Sequence, residues 1–221
     1  MLTELPLERL KLDWNLYPRH EVDSQHVTRL IEALQSGSQL PPIVADRQTK
    51  RVVDGFHRYR AYQRLLEPGQ KVAVELRNYR SEAALFEEAM RVNARHGIPF
   101  DPIDQVHCYL RGQELGLSLE SLAGAMAVPA TKLQSIVLRR LGENSKGDKV
   151  ILKPAMTHLQ GKPLTSPQVA VNDRLTGNSA AYYLQLVVEM LEAGCFDLSN
   201  ERVLVLLRRL QEALAAISVV A

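Results

Sequence analysis

Arg51-Val52-Val53-Asp54 leads into Gly55-Phe56-His57-Arg58-Tyr59-Arg60-Ala61, and the reading of this stretch decides the fold. A short β-branched run, a glycine and then an apolar stripe at helical spacing (Ala61, Tyr62, Leu65) predict a strand, a tight turn and a helix. Pro68-Gly69 stops that helix near Glu67. His57, Arg58 and Arg60 fall in its first turn, where cations oppose the helix dipole by on the order of 0.5 kcal/mol each. Together they make sense around an anion that the unpaired backbone amides also hold. A solvated basic helix start is the alternative.

Working outward, the first hundred residues alternate short strands and helices. Leu5–Leu12, Pro42–Ala45, Val52–Val53 and Val72–Leu76 read as strands. Asp23 starts a helix through Leu30, Ile31 and Leu34 that ends at Gly37, and Ser81 caps another through Leu85 and Met90 toward Asn93. Everything after Asp101 reads as helix. The change of period and the Gly97-Ile98-Pro99 break place a domain boundary near residue 100 in a chain of the α+β class.

Gly55-x-x-Arg58-x-x-Ala61 resembles the GERRxRA box of the ParB partition-protein N-terminal domain, and the same stretch is similar to the Gly-Cys-His-Arg loop of sulfiredoxins. Leu40-Pro41-Pro42-Ile43-Val44 resembles the family's GllqPiiV strand, Tyr17-Pro18-Arg19 its nPxqpR segment, and Val92-Asn93-Ala94-Arg95-His96-Gly97 sits where ParB proteins carry ENxxR. Four boxes in order imply a ParB/sulfiredoxin-like domain over residues 1–97. The resemblance implies a phosphate or nucleotide site at Arg19, Gly55, His57, Arg58, Arg60, Asn93 and Arg95, with CTP or ATP and Mg2+ as cofactors and Asn93 as a magnesium ligand. Phe56-His57 replaces the family's Glu-Arg, and Phe56 stands where sulfiredoxins have their catalytic cysteine, which excludes thiol chemistry. Val92 replaces a glutamate, which weakens a site for a hard cation.

Asp101-Pro102 opens a helix that runs to Gly116. Ser118 to Leu133 then gives a short helix (Leu122, Ala123, Met126), a turn at Ala127-Val128, and a second helix with Leu133, Ile136 and Val137 inward. The pattern resembles a helix-turn-helix over residues 101–141, with Ala127 in place of the usual turn glycine. Thr131, Gln134 and Ser135 can meet base edges, and Lys132, Arg139 and Arg140 can reach phosphates. Any three-helix bundle has the same apolar spacing. Gly142 to Asp148 reads as a polar linker, Ile151–Leu159 and Ser166–Leu175 as short helices, and residues 149–221 as a helical association region. Its last part, 179–221, is an apolar helical hairpin for homodimerisation or for packing on the chain itself.

The chain has 221 residues, 46% hydrophobic, with a net charge of +2. That charge is unevenly spread: residues 44–80 hold nine Lys/Arg against four Asp/Glu, and residues 130–162 seven against two, which suggests two polyanion contacts. Cys108 and Cys195, both on predicted helices, form no disulfide framework, and the six histidines make no zinc-type spacing with them. No leader or membrane-length apolar run is visible, so a cytoplasmic location is expected. The function expected is nucleotide-gated binding to double-stranded DNA, in partition or transcription regulation. The alternative is an enzyme of the same fold, a nucleotide hydrolase, phosphotransferase or nuclease, with Asp54 as candidate catalytic residue. A structural scaffold is a third reading.

Overall fold

The computed structural model describes residues 1–96 and 99–218. Its first half is a four-stranded sheet of order β1-β4-β2-β3, formed by β1 (Leu2–Pro6), β2 (Ile43–Asp46), β3 (Val52–Asp54) and β4 (Lys71–Arg77). β1 and β4 are antiparallel, β4 and β2 parallel, and β2 and β3 antiparallel. β4 alternates as a half-covered strand should, with Val72, Val74 and Leu76 buried. All four residues of β2 are buried, as befits a strand covered on both faces.

Three helices flank this sheet: α1 (Ser24–Gln35), α2 (Phe56–Leu65) and α3 (Glu82–His96). Asp23 caps α1 by accepting from the amides of Gln25 and His26 at 2.9 and 3.1 Å. The first strand is shorter and earlier than Leu5–Leu12. Pro6, at φ −55°, ends it, and Leu7–Arg9 form a turn of 3-10 helix.

Four more helices continue the chain: α4 (Pro102–Glu114), α5 (Leu119–Ala125), α6 (Ala130–Arg140) and, further on, α7 (Ser166–Arg174). Asp101 and Asp104 close a capping box on α4 behind Pro102. Gly112 lets α5 approach α4, because a Cβ there would collide with the Leu122 side chain. Gly97 and Ile98 of the expected boundary lie outside the described residues. One apolar cluster crosses that region: Val44 and Val53 of the sheet, Leu85, Phe86 and Met90 of α3, and Val106, Leu122, Leu133 and Val137 of the later helices.

The reading of everything after Asp101 as helix is corrected. β5 (Leu141–Asn144), β6 (Lys149–Ile151) and β7 (Pro163–Leu164) form a second sheet of order β6-β5-β7, and the expected polar linker is a β-hairpin. Asn144 and Gly147 (φ +87°) make its turn. Within the expected helix Ile151–Leu159, Ile151 belongs to β6, and Pro154–Leu159 is 3-10 helix. The chain ends in α8 (Ala180–Glu192) and α9 (Glu201–Ser218), neither holding a fully buried side chain among the described residues. Cys195 lies exposed in the turn after α8 rather than on a helix, and Cys108 is buried in α4.

Candidate functional site

The strand β3, Gly55 and the start of α2 form one wall of a cleft of about 1310 Å³. Arg19, Gly55, His57, Arg58, Asn93 and Arg95 all line it, so six of the seven residues expected at a phosphate site are brought together. Arg60 is not among them. Its guanidinium lies 5.2 Å from the Trp14 ring centroid and donates to Gln63, beside a smaller cleft of about 290 Å³ that shares Val22 and Ser24 with the first.

The three expected cations of the first turn of α2 therefore have three different fates. Arg58 faces the cleft, but its donors are used internally: Nη1 donates to the carbonyls of Pro41 and Pro42 at 2.8 and 2.6 Å, and Nη2 to Asp54 at 2.7 Å. Asp54, the candidate catalytic carboxylate, is held in the same ion pair. Burial, with the nearby His26 and Arg19 charges, pushes the His57 imidazole down to about 4, so this ring is neutral near pH 7. His57 Nε2 accepts the Asp23 amide at 3.2 Å, which leaves the ring proton on Nδ1, and the His26 ring packs edge-on against it at 4.9 Å.

Further positive charge in the cleft comes from Arg19, on the segment before α1 and itself paired with Asp104, and from the exposed Arg95 near the end of α3. No side chain caps α2, whereas Asp23, Asp101, Ser118, Thr165 and Ser179 cap α1, α4, α5, α7 and α8. The first amides of α2 have no carbonyl partner within their own helix, and they open beside these arginines. That combination suits an anionic group carrying several oxygens.

The fit to magnesium is poor. Asn93 Nδ2 donates to the Ala89 carbonyl at 2.8 Å, so its neutral Oδ1 is the one atom it can offer a cation. Of the carboxylates lining the cleft, Asp54 pairs with Arg58, Glu75 and Glu88 with Arg77, and Asp104 with Arg19 and His20, while Asp23 and Asp101 accept the first amides of α1 and α4. His20, Asp101 and Asp104 offer ligand atoms within 4.8 Å of one another, but the Arg19 guanidinium already occupies Asp104.

Asp104 was not singled out from the sequence, although its position three residues after Asp101 is the spacing of a capping box. It is buried, and it accepts from Arg19 Nη1 at 3.1 Å, from the His20 amide at 3.0 Å and from the His20 ring at 2.8 Å. Burial opposes its charge, but the His20 hydrogen bonds and the Arg19 charge prevail and hold it below the usual carboxylate range. The same contact raises His20. Cys108 donates to the Pro18 carbonyl at 3.0 Å, so the Arg19 segment is fastened to α4 at several points.

α4 carries the second candidate surface. The axes of α5 and α6 turn by 103° at Met126–Pro129, inside the range for a helix-turn-helix. Ala127 sits at φ +56°, the left-handed conformation that the usual glycine adopts freely. Thr131, Lys132, Gln134, Ser135 and Arg139 are exposed along α6, together with Leu138. Arg140 differs: it is half-buried, burial lowers its proton affinity, and its Nη1 donates to the Leu152 carbonyl at 3.2 Å. It braces the second sheet, which removes it from the expected set of phosphate contacts.

The family model of the ParB N-terminal domain matches residues 1–94. That match covers 94 of the 221 residues, so the first part of the chain is ParB-like. Among solved structures, the C-terminally truncated chromosome-partitioning protein ParB from Caulobacter crescentus complexed to the centromeric parS site is similar. It is 18% identical, with 61% of this chain and 70% of that chain covered and a TM-score of 0.44. The same Caulobacter protein complexed with CTP-gamma-S is 19% identical, covering 62% and 77%, with a TM-score of 0.38. Sulfiredoxin from Arabidopsis thaliana is 26% identical over 36% of this chain and 86% of that one, with a TM-score of 0.30. No curated protein matches the chain. Among the described residues no single helix is long and apolar enough to cross a membrane.

Proposed function

We propose that this protein binds duplex DNA through the α5–α6 helix-turn-helix and that a nucleoside triphosphate in the ParB-type domain controls that binding in the cytoplasm. The observation that supports the reading most directly is Asp104. This one carboxylate is the third residue of α4, which supports the helix-turn-helix, and also the partner of Arg19 in the cleft. A polyphosphate that competes for Arg19 weakens its hold on α4, so ligand in one site alters the other through a shared ion pair. The uncapped start of α2, with Arg19 and Arg95 beside it, supplies the anion contacts.

A homodimer belongs to the same reading. Tyr182, Leu186 and Val188 of α8 and Val205, Leu206 and Ile217 of α9 are exposed. Burying each such side chain contributes about 1.5–3 kcal/mol, and a twofold pair of recognition helices would read half-sites about one helical turn apart.

The test is a calorimetric titration of CTP, ATP and GTP, with and without magnesium, against the full-length protein free and bound to duplex DNA. CTP heads the panel because a structure of the Caulobacter protein contains its thio analogue. Binding of one nucleotide with a DNA-dependent affinity is the expected result, and equal affinity in both states sinks the coupling. Phosphate release in the same samples tests the hydrolase alternative.

A further inference from the structure

The segment that follows the recognition helix holds more of the second basic zone than the helix itself does. Of the seven Lys/Arg in residues 130–162, Lys132, Arg139 and Arg140 lie on α6. Lys146, Lys149, Lys153 and Lys162 lie on or beside the sheet that follows. Both acids of that zone are used locally: Glu143 pairs with Lys149 at 2.8 Å, and Asp148 accepts from the Asn144 amide at 2.9 Å. Lys146, at the exposed turn, and Lys162, leading into β7, are exposed and make no ion pair with a described carboxylate.

The hairpin is also fixed to α6. No residue separates Arg140 from Leu141, the Leu152 amide donates to the Arg140 carbonyl at 2.7 Å, and Arg140 Nη1 returns a bond to the Leu152 carbonyl. β7 pairs in parallel with the other edge of β5. Gly142 lets that packing close, since a Cβ there would stand 2.9 Å from Leu164 and 3.1 Å from Leu152. The turn itself is built rather than loose: Asn144 Oδ1 accepts the amides of Lys146 and Asp148, each at 2.9 Å. A strand the length of β5 reaches about 13 Å at ~3.3 Å per residue, close to the ~12 Å width of a major groove.

We infer that this hairpin is a wing: with α6 in the major groove, Lys146 at the tip and Lys162 just before the adjacent strand β7 grip the phosphate backbone flanking that groove. The inference rests on the DNA-binding reading and adds a second, sequence-independent contact to it. It is tested by comparing Lys146→Ala/Lys162→Ala with the helix variant Gln134→Ala in the full-length protein. Both lysines are exposed, and the turn uses only the Lys146 backbone, so the fold is retained; circular dichroism checks this. The wing variant is expected to bind preferred and random duplexes equally more weakly, with the log–log salt slope reduced by about two. Lys146→Glu should weaken binding further. Gln134→Ala should change sequence preference and leave the salt slope nearly intact. An unchanged slope and affinity in the wing variant, beside altered preference in Gln134→Ala, makes the hairpin a brace and overturns the wing. Absence of binding to any duplex overturns the DNA-binding reading and the wing together.

Discussion

The Arg58 guanidinium fills the space that a side chain at Gly55 would need. A Cβ at position 55 would stand 3.1 Å from Arg58 Nε and 3.2 Å from its Cζ, and the backbone there is at φ +101°. The glycine turn and the arginine three residues on are thus one steric unit, and the arginine in turn pins Pro41 and Pro42 to the helix.

Gly55→Ala should destabilise the fold by about 1–3 kcal/mol, since it adds a left-handed alanine to a displaced arginine. Arg58→Ala should cost about 2–4 kcal/mol, because it leaves two carbonyls and Asp54 without their donor. Urea denaturation reads both. Arg95→Ala, at an exposed position, should leave the urea midpoint in place and lower nucleotide affinity about tenfold, the loss of one charge-assisted contact. A large stability loss in Arg95→Ala would remove the anion role given to it.

Asp104→Asn keeps the shape of the side chain but removes the charge facing Arg19 and His20. Stability should fall by about 2–4 kcal/mol, as for breaking a buried pair. If the protein remains folded at 15 °C, nucleotide affinity should no longer depend on DNA. Intact coupling in that variant would exclude the shared ion pair as the route.

Two histidines should tilt the stability–pH curve in opposite directions. His57 is held near 4 in the folded protein against an ordinary 6.5, so the unfolded chain binds the extra proton and stability is lost as pH falls from about 6.5 toward 4. His20 is raised by Asp104; its contribution is fully present below 6.5 and disappears as pH rises through its elevated folded value. Melting curves of His57→Gln should show a flatter acid limb than wild type. The penalty of His20→Gln should be larger at pH 6 than at pH 8.

Ala127 sits in the turn at φ +56° and is exposed. Ala127→Gly should stabilise the protein by about 1 kcal/mol through relief of left-handed strain, without altering DNA affinity. A lower urea midpoint would mean that the turn is not strained.

Deleting residues 179–221 should produce monomers by light scattering and reduce DNA affinity by about 10²–10⁴, as two linked half-site contacts become one. A full-length chain that is monomeric at micromolar concentration would assign the exposed faces of α8 and α9 another role.

Much of the first half was legible, because Gly55, Asp23 and Ser81 act through local rules that the chain states openly. The spacing of Leu122, Ala123, Leu133 and Val137 likewise reported the inward side of α5 and α6. The second sheet was not legible. Its strands are two to four residues long, and their partners are brought together by α6 rather than by any alternation in Leu141–Asn144. The charge states of the cleft were also beyond reading. His57 became neutral through burial against His26, Arg58 faces inward as its place on the stripe of Ala61, Tyr62 and Leu65 implies but spends its donors on proline carbonyls and Asp54, and Arg60 turned to Trp14; most of these partners are distant in the chain.

The apolar cluster that passes from Val44 and Val53 through α3 to Leu122 and Leu133 makes the junction near residue 100 a poor place to cut. A fragment ending at residue 97 would carry Leu85, Phe86 and Met90 into water, and one beginning at 101 would lose the surface that seats α5. The ParB-type domain and the helices after it should therefore melt in a single cooperative transition, with calorimetric and van't Hoff enthalpies in agreement, and protease should release no folded half at this point.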